Sequence, residues 1–264
     1  MDASVKQEGQ RLRKRDRREQ ILFELKLRPH LRISQLAAQF GVSTETIRRD
    51  FDALEEKGLI DRAHGGASRP HPGHYPTLDE RERDQFQERE RIGHMAAAQV
   101  APGETLMIDS GSTTQQMARF LAMAGTPCRV ITNSLPIAML LGGSDGAEVI
   151  LAPGNYLPTE SAVVGEETLE FLSRHHVDRA VIGATALSIE GVSETIPGFA
   201  AIKRVMLAQA QAGMLLILGS KFGIHGFTRA ATLGALASVV ADRAPPADLK
   251  EALRENAVEV LLAK

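Results

Sequence analysis

Two short amphipathic segments separated by one glycine constrain the fold of this chain more than any other feature. In the first segment, ISQLAAQF, apolar residues recur at the i, i+3, i+4, i+7 spacing of a helix, from Ile33 to Phe40. Gly41 then supplies a tight stop. In the second segment Ser43 is a favourable N-cap, and apolar residues at positions 47, 51 and 54 form an inward stripe. The pattern predicts two helices joined by a tight turn.

Two helices joined in this way form a helix-turn-helix, whose second helix enters the major groove of DNA with its N-terminal half against the base edges. Arg48 and Arg49 fall on the outward face of that helix, and no acidic partner is expected beside them. The two arginines are therefore expected to face DNA. A solvated arginine pair on an ordinary amphipathic helix is the alternative, and the flanking segments argue against it.

The flanking segments complete a winged helix-turn-helix. Residues 17–27 carry apolar side chains at helical spacing, and Arg28-Pro29 ends that helix because proline cannot continue its hydrogen-bond ladder. Residues 59–67, LIDRAHGGA, are expected to form a strand, a Gly-Gly turn and a return strand, which make a small wing. The candidate DNA-binding residues are Ser43, Thr44, Thr46, Arg48, Arg49, Arg62, His64, Gly65 and Gly66.

Charge is distributed unevenly along the chain. The formal net charge is −2, yet residues 1–69 hold 15 Lys and Arg against 11 Asp and Glu, whereas residues 70–264 hold 16 against 22. This asymmetry suggests that the two ends meet different partners. A single cysteine, Cys128, excludes an intramolecular disulfide and a cysteine-cluster zinc site. No apolar run is long enough to cross a membrane, and the charged N-terminus is unlike a signal peptide, so cytoplasmic residence is expected.

Composition and pattern divide the chain into three parts. Residues 1–68 form the expected winged helix-turn-helix domain, of which residues 1–16 are a basic arm. Residues 69–91 mix prolines, histidines and a dense run of mixed charge, which predicts a linker leading into a polar helix. Residues 92–264 alternate helix-like and strand-like segments, which is typical of an α/β domain around a mostly parallel sheet.

A polar loop in the α/β domain is the strongest candidate for a ligand site. The segment LMIDSGSTTQQMARFL places Asp109 to Thr114 after an apolar strand and at the start of a helix, where ligands of open α/β sheets bind. The glycine permits close approach, the hydroxyls add donors, and the helix N-terminus offers unpaired N–H groups to an anion. The loop matches neither a Walker loop nor a dinucleotide fingerprint. A plain helix N-cap is the alternative.

Other predicted strand ends and helix starts supply further polar groups. Asn133 and Ser134 follow one strand, a Gly-Ala-Thr turn follows another, and Lys203 and Lys221 are placed where they could meet an anion. Together they suggest a pocket for a small phosphorylated polyol or sugar, without a metal or a cofactor. The candidate effector-binding residues are Asp109, Ser110, Gly111, Ser112, Thr113, Thr114, Asn133, Ser134, Gly183, Lys203 and Lys221.

The segment ISQLAAQFGVSTETIRRDFDALEEKGLIDRAHGGA resembles the N-terminal motif of the DeoR family of bacterial transcriptional regulators. The resemblance continues through IDSGSTT, VITNSLPIA, VVGEETLEFL, AVIGATALSIEGV, KRVM and SKFG, from about residue 17 to 242. It implies a sensing domain similar to ribose-5-phosphate isomerase, usually without catalytic activity, and it assigns the loop at 109–114, Asn133-Ser134 and the two lysines to the effector pocket. Two departures stand out, because Phe199 and Leu218 occupy positions where many members have an acidic residue.

Two functions are consistent with these patterns. One is a sequence-specific DNA-binding regulator, expected to repress a carbohydrate-catabolism operon and to respond to a phosphorylated metabolite. The other is a sugar-phosphate isomerase with a fused DNA-binding domain, which would need a positioned acid–base carboxylate. Asp109 and Glu194 are available for that role, but positions 199 and 218 have lost carboxylates, and the regulator is favoured. A dimer or tetramer is expected, because pairing of half-sites is the usual route to specificity.

Overall fold

The computed structural model describes residues 14–27, 30–55, 60–63, 66–68 and 77–264. Contacts between residues divide the chain into two compact units, Met1–His74 and Tyr75–Lys264. Within the described residues, none of the helices combines the length and the apolar character that a membrane span requires.

The first unit is a winged helix-turn-helix, which confirms the predicted fold. Its elements, in chain order, are α1 (Lys14–Leu27), β1 (His30–Arg32), α2 (Ile33–Phe40), α3 (Thr44–Glu55), β2 (Asp61–Ala63) and β3 (Gly66–Ser68). Gly41 ends α2 with a left-handed φ of 61°, a conformation that glycine adopts without steric cost. The inward stripe of α3 packs into a core with Ile21 of α1 and Leu36 of α2, all fully buried.

The wing contains one strand more than the sequence predicts. The three strands pair antiparallel in the order β1-β3-β2, so that β3 is central. β1 was not predicted because three residues after a proline are too few to show the alternation of a strand.

The second unit is an α/β domain, also as predicted. Its elements are α4 (Leu78–Arg83), α5 (Phe86–Ala97), β4 (Glu104–Ile108), α6 (Ser112–Ala124), β5 (Cys128–Thr132), α7 (Leu135–Gly142), β6 (Ala147–Leu151), β7 (Asn155–Leu157), β8 (Ala162–Val164), α8 (Glu166–Ser173), β9 (Val177–Ile182), β10 (Ala186–Ser188), β11 (Gly191–Glu194), α9 (Pro197–Ala208), β12 (Ala210–Ile217), β13 (Thr228–Ala231), β14 (Ser238–Ala241), α10 (Ala247–Glu255) and β15 (Glu259–Leu262).

The main sheet has seven parallel strands in the order β15-β14-β12-β9-β4-β5-β6. The strand order reverses between β4 and β9, and this switch point is where open α/β sheets bind ligands. Two small antiparallel sheets, β10-β11-β13 and β7-β8, lie outside this alternation and were not predicted. Their strands are too short to give a periodic signal.

The linker predicted from the sequence extends too far along the chain. Residues from 77 onward form α4 and α5, which belong to the second unit, so the part of 69–91 that the structure describes is folded. α5 packs closely on α6, since a Cβ on Gly93 would lie 2.7 Å from the backbone of Gln116. The run of mixed charge hides this packing, because Arg81 and Arg89 occupy buried positions where an apolar side chain is expected.

Candidate functional site

The N-terminus of α3 is capped as predicted. The Thr46 amide donates a hydrogen bond to Ser43 Oγ at 3.2 Å, and the two hydroxyls lie 2.9 Å apart. Ser43, Thr44 and Glu45 are exposed around this cap, which leaves the start of the helix open to a ligand on its outer side. In a helix-turn-helix, that end of the second helix meets the base edges.

Arg48 and Arg49 project outward from α3, but they do have an acidic neighbour, contrary to the expectation. Glu45 lies 3.7 Å from Arg48 and 3.5 Å from Arg49. The side chains of the two arginines are nevertheless 57% and 77% exposed. Ion pairs this loose and exposed contribute little to stability, because water screens them. Both guanidinium groups can therefore exchange Glu45 for a phosphate or a base edge.

A second acidic residue, Asp50, faces the interior and was not singled out from the sequence. The residue is 1% exposed, and its carboxylate accepts hydrogen bonds from Arg17 at 2.5 Å and Arg18 at 2.9 Å. This ion-pair cluster fixes α1 against the inner side of α3. The basic side chains of α1 at 17 and 18 are therefore held in a structural ion-pair cluster, whereas the arginine pair on α3 is exposed.

The wing residues have different roles in the structure. Arg62 lies in β2 opposite Ala67, while its side chain, His64 and Gly65 lie outside the described residues. Gly66 is buried, and a Cβ there would lie 2.1 Å from the carbonyl oxygen of Leu31. The absence of a side chain at Gly66 therefore permits β3 to pair with β1, a structural role beside the predicted one in DNA binding.

In the second unit, the predicted polar loop lies at the switch point of the main sheet. Asp109 directly follows β4, and its amide donates to the carbonyl of Val181 in β9 at 3.0 Å. The Gly183 amide donates back to Asp109 Oδ1, also at 3.0 Å. The carboxylate of Asp109 thus joins the ends of the two central strands, and it is fully buried there.

Lys203 of α9 connects this carboxylate to a second one. Its Nζ forms an ion pair with Asp109 Oδ2 and lies 3.3 Å from Glu194 Oε1. All three side chains are buried, and Thr185 donates to the other Glu194 oxygen at 2.7 Å. Burial raises the pKa of Asp109 to about 6, an effect that the charge of Lys203 opposes. The ring of Phe199 lies 5.6 Å from Lys203 Nζ, within reach of a cation–π interaction.

The start of α6 forms the floor of a pocket beside this cluster. Gly111 is the N-cap of α6, and among the described residues no side chain caps the helix, so N–H groups of the first turn are available to a ligand. Thr114 Oγ1 donates to the carbonyls of Asp109 and Gly111, both at 2.9 Å, which fixes the loop. Arg89 of α5 donates to Thr113 Oγ1 at 2.8 Å, and this places a guanidinium at the same end of the helix.

Lys221 also lines the pocket. Its Nζ donates to the carbonyl of Ala184 at 2.7 Å, and no carboxylate among the described residues forms an ion pair with it. Burial, followed by the positive charge of Arg89, lowers the pKa of Lys221 to about 7. A cation that is destabilised in this way gains more from an anionic ligand than a solvated one does.

The pocket has a volume of about 410 Å³, including the part open to solvent. A bidentate ion pair closes one side, in which Arg81 donates to the Glu160 oxygens at 3.0 and 2.5 Å. The structure brings several predicted residues to its lining, namely Ser110, Gly111, Ser112, Thr113, Gly183, Lys203 and Lys221. The lining residues that were absent from the predicted set are Arg81, Arg89, Glu160, Ala184, Glu194 and Phe199.

The remaining predicted residues lie behind the lining. Asp109 and Thr114 support the loop from below, and Asn133 accepts from the Ser110 amide at 3.1 Å. Ser134 caps α7 by accepting from the Ile137 amide at 3.4 Å, and it does not line the pocket. These side chains position the pocket and do not face its space.

One sequence signal could have revealed part of the missed set. Arg89 is the first of four buried positions at i, i+3, i+4 and i+7, the others being Ile92, Gly93 and Ala96. An arginine in an inward helical stripe is unusual, because its charge must be compensated. For Glu160, which lies in a short turn of 3₁₀ helix, we find no comparable signal.

A capped recognition helix with outward arginines, carried on the same chain as a polar pocket at a sheet switch point, defines the class of DNA-binding regulators with a sensor domain. The DeoR-like helix-turn-helix domain model matches residues 17–72, and the DeoR C terminal sensor domain model matches residues 84–243. The chain belongs to the DeoR family of transcriptional regulators.

Similar proteins cover nearly the whole chain. The Glycerol-3-phosphate regulon repressor of Escherichia coli K12 is 30% identical over 92% of this chain and 96% of its own length. The transcriptional repressor GlcR of Bacillus subtilis is 31% identical over 92% of this chain and 94% of its own. Ribose 5-phosphate isomerase A of Methanocaldococcus jannaschii shares 15% identity over 52% of this chain and 54% of its own, with a TM-score of 0.39. The family decides in favour of the regulator over the isomerase considered from the sequence.

Proposed function

We propose that this regulator represses a carbohydrate-catabolism operon in the cytoplasm and senses a small phosphorylated sugar or polyol in the pocket at the switch point. The observation that carries the proposal is that Lys221, Arg89 and the N-terminus of α6 all line that one pocket. The names of the similar proteins support it, since one of them is a repressor of a glycerol-3-phosphate regulon.

The phosphate belongs beside the start of α6, which lines the pocket. Backbone N–H groups at a helix N-terminus bind anions through both hydrogen bonds and the helix dipole. Lys221 adds a charge that no carboxylate among the described residues neutralises, and Arg89 adds a guanidinium at Thr113. Charge-assisted hydrogen bonds of this kind are among the strongest that a protein offers a phosphate.

The hydroxyl groups of the ligand have acceptors in the same pocket. Glu160 and Glu194 line the pocket with carboxylates, which accept hydrogen bonds from hydroxyls. Each of these carboxylates is paired with a cation, Glu160 with Arg81 and Glu194 with Lys203, so they repel a phosphate in the pocket less than unpaired carboxylates would. A compound with one phosphate and several hydroxyl groups fits this set of cations and acceptors best.

Thermal-shift measurements on matched pairs of compounds test the ligand class. Glycerol 3-phosphate, ribose 5-phosphate and glucose 6-phosphate are each compared with the unphosphorylated compound, at equal ionic strength. A compound that binds only the folded state raises the midpoint by mass action, and saturation at 100 times Kd corresponds to about 2.7 kcal/mol. We expect a shift for at least one phosphorylated member and none for its partner. Equal shifts within every pair would contradict the phosphate site.

The DNA side of the proposal places Ser43, Arg48 and Arg49 in the major groove, with the wing beside them. α3 supplies the base contacts, and Thr44 and Thr46 at its first turn add hydroxyls. DNA fragments selected by the full-length protein from a random library should share a short half-site that appears twice. A selected pool without any common sequence would contradict sequence-specific binding.

We also propose that the protein acts as a dimer or tetramer, through the second unit. Phe227 is 84% exposed, and Ile189 and Ile224 are also exposed beside it. They form one region, since Ser188 and Glu190 both lie within 4 Å of His225. An exposed apolar cluster of this kind is typical of an association surface. Light scattering of the wild type and of Phe227→Asp tests this, and a monomeric wild type would contradict it.

A further inference from the structure

The helix through which the chain enters the second unit also forms part of the pocket wall. α4 begins at Leu78, shortly after the boundary between His74 and Tyr75. Its buried side chains are Leu78 and Arg81, and Arg81 lines the pocket. Isolated helices shorter than about 12–15 residues are marginal in water, so this helix of 6 residues depends on its contacts with the rest of the unit.

The contact made by Arg81 is a buried ion pair with Glu160. The two side chains are only 9% and 5% exposed, and both N–H···O bonds are 3.0 Å or shorter. Stability alone does not explain such a pair, because a protein in which apolar residues of similar size replace a buried ion pair is often equally stable. Here the pair has a second property, which is that both partners line the pocket.

We propose that the Arg81–Glu160 pair is a latch on α4 that an anionic ligand opens. The proposal rests on the proposed function, in that the ligand carries a phosphate. A phosphate in the pocket is a second anion for Arg81, and it repels the Glu160 carboxylate among side chains that are mostly buried, where charges are weakly screened. Occupancy therefore weakens the pair and loosens α4.

The position of α4 in the chain gives this change a route to DNA binding. The first described element of the second unit moves when the pocket fills, and the chain connects it directly to the first unit. For the latch to act, phosphate must bind the open arrangement more tightly than the closed one. Linkage then requires DNA to change the affinity for phosphate by the same factor that phosphate changes the affinity for DNA.

Hydrogen exchange on the full-length protein tests the first step. The probe is inorganic phosphate, with chloride at equal ionic strength as the reference. We expect phosphate to accelerate amide exchange in residues 78–84 and to slow it at the start of α6. Slowed or unchanged exchange in 78–84, together with protection at α6, would overturn the latch while supporting the phosphate site.

Two variants test the mechanism. Glu160→Gln removes the competing charge, so we expect exchange in 78–84 to be fast without phosphate and phosphate to bind roughly tenfold more tightly. The ratio of DNA affinities without and with phosphate, typically about 5- to 150-fold for coupled sites, should fall toward one. Arg81→Lys keeps a charge but loses the bidentate geometry, and it should lower the same ratio.

Glu148→Gln, which breaks the exposed pair with Arg129, is the matched control and should leave every value unchanged.

The outcomes separate the latch from the proposed function. Weaker phosphate binding by folded Glu160→Gln would assign Glu160 to ligand contact and would overturn the latch. Wild-type coupling in both Glu160→Gln and Arg81→Lys would also overturn it, with the phosphate site intact. If Glu160→Gln fails to fold, the exchange experiment on the wild type and the Arg81→Lys variant decide. If phosphate binds nowhere in the pocket of the wild type, the proposed function fails and the latch fails with it.

Discussion

The two surfaces proposed for phosphate groups, the outward face of α3 and the pocket of the second unit, hold their cations in opposite ways. Arg48 and Arg49 are exposed and paired loosely with Glu45 at 3.5–3.7 Å. In the pocket, Lys203 and Arg81 are buried and each is held by at least one carboxylate. DNA displaces weak partners from an open surface, whereas a small ligand enters a site whose charges are already arranged.

This difference shows which charges contribute to ligand binding and which contribute to the stability of the fold. An exposed cation costs little to maintain, so its effect appears in binding and in salt dependence. A buried cation supports the fold first, because its carboxylate partners would otherwise be buried and uncompensated. Lys221 is intermediate, since it is partly buried but forms no ion pair with a carboxylate of the described residues.

The largest expected effect comes from removing a buried cation. Lys203→Met leaves Asp109 and Glu194 buried without their partner, and the free energy of unfolding should fall by about 3–5 kcal/mol at pH 7.5. Burial raises the pKa of Asp109 to about 6 even beside Lys203, and removing that cation raises it further, so the loss should shrink as the pH falls toward 6 and the carboxyl group of the variant takes up a proton. Urea denaturation at pH 5.5 and 7.5 measures both. Arg49→Ala should change the same quantity by less than about 0.5 kcal/mol, and an equal loss would contradict the distinction.

Replacing the exposed arginines of α3 should weaken DNA binding and have little effect on stability. When Arg48→Ala and Arg49→Ala are combined, specific DNA binding should weaken by about 1–3 kcal/mol for each arginine that binds a base edge. An arginine that binds a phosphate should instead lower the salt slope of the binding constant by about one unit when it is replaced. Fluorescence anisotropy at several salt concentrations measures both effects on the selected DNA. Lys250→Ala, an exposed substitution on α10, removes one positive charge and is the control for each single arginine variant. A folded double variant with normal binding would disprove the assignment.

Lys221, the intermediate case, should make ligand binding depend on pH. Lys221 has a pKa lowered to about 7, so above that pH the free protein holds it neutral and a phosphate must bind together with a proton. Affinity for a phosphate monoester should therefore fall by up to about tenfold per pH unit between pH 7.5 and 9, where the phosphate itself is already dianionic. Calorimetry in two buffers of different ionisation enthalpy measures the proton uptake. Lys221→Met should bind weakly with a flat profile, and an equally steep profile in this variant would exclude Lys221 as the cause.

The smallest effect concerns the helix that carries the exposed pair. Ser43→Ala removes the oxygen that accepts from the Thr46 amide, and it should destabilise α3 by about 1 kcal/mol. Ser34→Ala, an exposed serine of α2 with no such role in the described structure, is the control. Thermal melts and DNA binding are compared for both. If Ser34→Ala destabilises the protein as much as Ser43→Ala, the cap contributes nothing specific.

The sequence by itself determined the features that rest on local pattern. Helical spacing placed Ile47 and Phe51 inward and Arg48 and Arg49 outward, and the structure confirms this arrangement of α3. The alternation of helices and strands predicted the parallel sheet, and the rule for strand ends predicted a polar loop at Asp109. These features follow from residues that are neighbours in the chain.

Only the tertiary structure decided which charges meet. Glu160 is 79 positions away from Arg81 in the chain, and Asp50 is 33 away from Arg17. The mixed-charge run that suggested a linker contains Arg81 and Arg89, which the packing of α4 and α5 turns inward. A periodic pattern shows which face of a helix is buried, but a buried charge is stable only beside a partner, and the fold alone places that partner.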